Sequence, residues 1–142
     1  MRKSVRRAGV LSAGVALATG IGMAPAHAAT PAELCGSGYS TLETRSIQSG
    51  GTTVARVSLL YNAGTGYNCV VTVHAGPSVG VATYTLARLE VQGGASKSDP
   101  GTYSQYAGPV RLSAAGRCVS FTGSITWGGA TRTYNSGWGH CG

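Results

Sequence analysis

Between Thr53 and His74 the chain runs TVARVSLLYNAGTGYNCVVTVH. From Thr53 to Tyr61 the residues alternate, placing Ala55, Val57, Leu59 and Tyr61 on one face. From Tyr67 to His74 they alternate again, with Cys69, Val71 and Val73 together. Period-two patterning in β-branched residues is the mark of strands with two unlike faces. Between the two runs lies Asn62-Ala63-Gly64-Thr65-Gly66, a cluster of turn-forming residues. Two strands joined by such a cluster predict a hairpin.

The same grammar extends in both directions. Upstream, Tyr39 to Ile47 reads as a strand. Downstream, Val81 to Val91 is the next, followed by Gly93-Gly94 as a loop and Asp99-Pro100-Gly101 as a turn. Thr102 to Ala107 is a short run. Pro109 lacks an N–H, which predicts the start of an edge strand or a bulge. Val110, Leu112 and Ala114 then alternate with Arg111 and Ser113, and Ala115-Gly116 turns the chain into Cys118 to Ile125. A Gly128-Gly129 turn leads to the last run, Thr131 to Tyr134. About eight short strands separated by frequent turns predict an all-β domain, a two-sheet antiparallel sandwich rather than a small barrel. Helix signals are nearly absent.

The first 28 residues read differently. Arg2, Lys3, Arg6 and Arg7 precede an apolar, glycine-interrupted stretch from Val10 to Met23, and Ala26-His27-Ala28 supplies a small-x-small end. That order describes a secretory signal peptide cleaved after Ala28, leaving 29–142 as one domain. The apolar stretch is too short for a membrane span. Arg6-Arg7 leaves the general and twin-arginine routes both open. Four of the eleven basic residues belong to this leader, so the formal net charge falls from +7 to +3 without it. The seven remaining cations are scattered singly, which argues against nucleic acid as a partner.

Cys35, Cys69, Cys118 and Cys141 all follow the leader. An even count in an exported chain predicts two disulfides. If the last hairpin turns about Gly129 and Ala130, Cys118 falls opposite Cys141, leaving Cys35 for Cys69. No C-x-x-C pair supports a metal site, and no cofactor motif is present.

Catalysis needs titratable groups in constellations. Residues 102–125 hold no carboxylate and no histidine. His74 and His140 read as exposed strand-end residues. Glu43 and Glu90 read as ion-pair partners of Arg45 and Arg88, and Asp99 as a turn residue. No G-x-S-x-G elbow occurs. The chain therefore reads as no enzyme. Trp127, Tyr134 and Trp138 flank the last turn region, where amphipathic rings close together would form a stacking platform for sugars.

CGSGYS at Cys35, YNAGTGYNCVVTV at Tyr61, YAGPV at Tyr106, GRCVSF at Gly116 and HCG at His140 together resemble the spore-associated protein A family, small exported proteins of sporulating filamentous actinobacteria. The resemblance implies secretion and association with spore or cell-wall surface components. It implies no activity. The first expectation is a non-enzymatic surface or coating protein. A carbohydrate or cell-wall binding module and a secreted peptidase inhibitor are the alternatives, the latter using Gly93–Gly101 with Lys97 as its exposed loop. Exposed strand edges in a chain of low charge leave self-association open.

Overall fold

The computed structural model describes residues 28–142. The expected leader, apart from Ala28, lies outside the described residues. A short helix, α1 (Pro31–Cys35), is followed by eight strands: β1 (Tyr39–Ser49), β2 (Thr52–Asn62), β3 (Tyr67–His74), β4 (Thr83–Val91), β5 (Ser96–Tyr103), β6 (Tyr106–Ser113), β7 (Val119–Trp127) and β8 (Ala130–Asn135). They form two four-stranded antiparallel sheets, ordered β1-β2-β3-β6 and β5-β4-β7-β8. The sandwich expectation holds, with no closed barrel.

The founding hairpin pairs Asn62 with Tyr67 and Leu60 with Cys69. That register puts its two apolar rows on opposite faces. Val57 and Leu59 of β2, with Val70 of β3, point between the sheets and meet Leu89, Val119, Phe121 and Ile125. Leu60, Cys69 and Val71 point outward, yet they are buried too. What covers them is α1, whose Leu34 and Cys35 lie over that face, with the Cys35–Cys69 bridge as the bolt.

This helix is a correction to the expectation of few helix signals. Its start is written locally. Thr30 Oγ1 accepts from the Glu33 N–H at 3.2 Å, and Glu33 Oε2 accepts from the Thr30 N–H at 3.1 Å, a capping box with Pro31 at the first helical position. Its end is finished from afar. Arg111 donates to the Cys35 carbonyl through Nε at 3.0 Å and Nη2 at 2.8 Å, and to the Leu34 carbonyl at 3.2 Å. A guanidinium there satisfies carbonyls that a helix leaves open. Arg111→Ala is therefore expected to cost about 2 kcal/mol in urea unfolding, as for lost charged hydrogen bonds. Arg111→Lys should restore only part, because an ammonium cannot fork across both carbonyls.

Other boundaries moved for physical reasons. Asp99-Pro100-Gly101 is no turn but the middle of β5, an edge strand where a missing N–H is tolerated. Asp99 accepts from the Tyr103 hydroxyl at 2.5 Å and from the Gly108 N–H at 2.8 Å, tying β5 to β6 across the sheets. The Thr102–Ala107 run is likewise split, its middle being the β5–β6 turn. The loop proposed for an inhibitor shrinks to the short β4–β5 turn, and Lys97 sits in β5 opposite Leu89. Pro109 lies on edge strand β6 where its register with β3 shifts, as its chemistry predicts.

Two further corrections concern the last strands and a histidine. In the final hairpin Thr122 pairs with Asn135 and Trp127 with Ala130, so it turns about Gly128-Gly129 as the glycine pair predicts, and the cysteine register taken from Gly129 and Ala130 is two positions out. The bridges are nonetheless Cys35–Cys69 and Cys118–Cys141. Just beyond β8 the Ser136 N–H donates to the Phe121 carbonyl at 3.0 Å and its hydroxyl accepts from the Phe121 N–H at 2.9 Å; the chain then shifts register and meets β7 again where Val119 and Gly139 exchange both backbone bonds. His74 ends its strand but is only 5% exposed. Its Nδ1 lies 2.8 Å from the Ser78 carbonyl and its Nε2 2.7 Å from Thr85 Oγ1, so it is a hydrogen-bonded core residue.

Candidate functional site

The three aromatics expected to form a platform do not come together. Trp127 ends β7 and packs partly buried on the core. Tyr134 faces the same core, its ring centroid 5.7 Å from that of Phe121. Trp138 precedes Gly139, which pairs with Val119 at the other end of β7. Eight residues of strand separate the two tryptophan positions, about 26 Å at 3.3 Å each. Among the three, Trp138 alone is an exposed large side chain, at 52%.

What the fold does assemble is a cluster that spacing in sequence could not reveal. It begins with a bulge. Thr41 pairs with Leu60 and Glu43 with Leu59, so Leu42 is an extra residue on β1. One inserted residue reverses the faces of those that follow. Leu42 is left 45% exposed, and Glu43 and Arg45 turn to the inner side of an edge strand, opposite Leu59 and Val57. There Glu43 Oε1 accepts from Arg45 Nε at 2.6 Å, and Glu43 Oε2 accepts from His140 Nε2 at 2.8 Å.

His140 arrives from 97 residues away. It is the one described non-glycine residue with positive φ, at 49°. Its neighbours hold it: Gly139 is bonded to Val119 on one side and Cys141 is bridged to Cys118 on the other. Beside it opens a cleft of about 270 Å³ lined by Leu42, Tyr61, Asn68, Ala114, Gly116 and the 140–142 segment. The bonds from His140, and then from Arg45, hold the Glu43 carboxyl below its ordinary pKa.

A depressed carboxyl pKa adds stability that is present above the unfolded value and lost as pH falls through the folded one. The 136–142 segment should thus loosen in acid, below about pH 4. Hydrogen exchange at the Gly139 amide would report it, and Glu43→Gln should remove the acid dependence. The pairing of Glu90 with Arg88, 2.8 Å apart on β4, is a surface contact of small consequence. Among the described residues no group of three His, Cys, Asp or Glu is placed to hold a metal ion, and no helix is long and apolar enough to cross a membrane.

Over 110 residues the chain is 41% identical to spore-associated protein A of Streptomyces coelicolor. The match takes in 77% of this chain and 65% of that relative, so it spans just under two thirds of the relative's length. No family model and no solved structure matches the chain.

Proposed function

We propose, for a chain that belongs to the spore-associated protein A family, an exported, non-enzymatic protein that lodges on the spore or cell surface as a structural component. The similarity to a protein named for its spore association carries this reading. Three features support it. The leader-like residues 1–28 suit export, with 29–142 as the exported domain. Two disulfides suit an oxidising space and stabilise a domain with a modest core. The carboxylates Glu43, Glu90 and Asp99 are each engaged by a neighbouring side chain, as in a scaffold.

The test is fractionation of a sporulating culture with an antibody to 29–142. Spores are washed in buffer, then high salt, then detergent. Retention through the salt wash is the expected result and marks attachment by more than charge. Recovery from the medium alone would overturn the surface reading.

A further inference from the structure

We propose that the cleft beside His140 binds one sugar ring of a glycan. The argument starts from which atoms remain available there. Glu43 is an ionised acceptor, so the His140 atom bonded to it, Nε2, carries the hydrogen. In the neutral ring Nδ1 is then a lone pair, and it has no partner among the described residues. The Tyr61 hydroxyl is likewise without one. Asn68 spends its Nδ2 on the Leu60 carbonyl at 3.1 Å, which leaves its Oδ1 as a further acceptor.

The cleft thus combines acceptors and one hydroxyl with apolar walls from Leu42 and Ala114 and the ring of Tyr61. A phosphate or carboxylate would bring acceptors to acceptors. A purely apolar ligand would leave the lone pairs unpaired, which a binding site pays for in affinity. A pyranose matches both halves, with donor hydroxyls on its rim and C–H groups on its face. At about 270 Å³ the space lies just under the usual range for small-molecule sites, consistent with one ring rather than several.

The site is also built in advance. A positive φ at a non-glycine residue persists only where its surroundings impose it, and such residues gather at binding sites. Here the bridge at Cys141, the backbone bonds of Gly139 and the Arg45–Glu43–His140 chain impose it together. A side chain locked before the ligand arrives loses little freedom on binding.

The experiment is an amide-shift titration of the disulfide-intact protein with cellotriose and with chitotriose. At least one is expected to move the amides of Leu42, Asn68, Ala114 and His140. His140→Gly suits the backbone conformation, so the fold should be kept while affinity drops roughly tenfold; Tyr61→Phe should cost about threefold. The proposal is overturned if neither sugar moves these amides, if shifts centre on Trp138, if His140→Gly binds equally well, or if hexylamine binds and the sugars do not. Because the protein is free in solution, none of these results bears on whether it is retained by spores.

Discussion

With Cys35 and Cys69 both changed to alanine, the unfolding free energy falls by about 4 kcal/mol. The bridge closes a separation of 34 residues, and in the chain-entropy model a loop of that length contributes about this much. The expected damage has a place. Leu60 and Val71, buried on the outer face of the first sheet, lose the anchor that holds α1 over them. Exchange protection of the Leu34 and Gly36 amides, bonded to the Thr30 and Ala32 carbonyls, should vanish first. Denaturant unfolding of the variant against the parent measures the total. A loss under 1 kcal/mol would mean that α1 docks by its own contacts and by Arg111, with the bridge incidental. Removing Cys118–Cys141, whose separation is 23 residues, should cost about 3 kcal/mol and release the 136–142 segment instead.

Gly123→Ala should cost about 3 kcal/mol, although it adds one methyl group. Gly123 sits in β7 facing the other sheet. A Cβ there would stand 2.5 Å from the Cβ of Val57 and 2.8 Å from Thr72 Oγ1. Neither neighbour has room to yield, since Val57 is fully buried and Thr72 Oγ1 donates to the Leu86 carbonyl at 2.8 Å. The sheets must separate locally or the hydrogen bond must break. A double variant with Val57→Ala should recover part of the loss, giving a coupling energy of about 1 kcal/mol or more. Strict additivity in denaturant unfolding would refute the steric account.

The strands were legible because their signal is local. Alternation in β2 and β3 and the glycine turns placed seven of the eight strands within a few residues of where they lie, β5 being the exception. Position in the sheet was not legible, and the errors follow from that. Asp99-Pro100-Gly101 has the chemistry of a turn, and only its place at an edge lets it extend. The five residues of α1 are too few for a helical period, though Thr30-Pro31-Ala32-Glu33 carried a capping box that could have marked its start. The correct partner for Cys118 was reached through a register two residues out, because the chain beyond Ser136 shifts register. His74 sits at a strand end, where exposure is the ordinary outcome; Thr85 and Ser78 come from elements whose placement no spacing predicts. The Glu43–His140 contact depends on a bulge at Leu42, and neighbouring residues do not announce it.

That bulge bears on how many copies could share one surface. A sandwich with open sheets can grow into a fibril if an incoming chain adds a strand at an edge. Each of the four edges here is spoiled for that purpose. β1 carries the bulge and turns the charges of Glu43 and Arg45 inward. β6 bends at Gly108-Pro109, β5 is interrupted by Pro100, and β8 is six residues long. Strand addition from a neighbouring copy is thus disfavoured at every edge. Contact between copies is left to faces and side chains rather than to a shared backbone ladder.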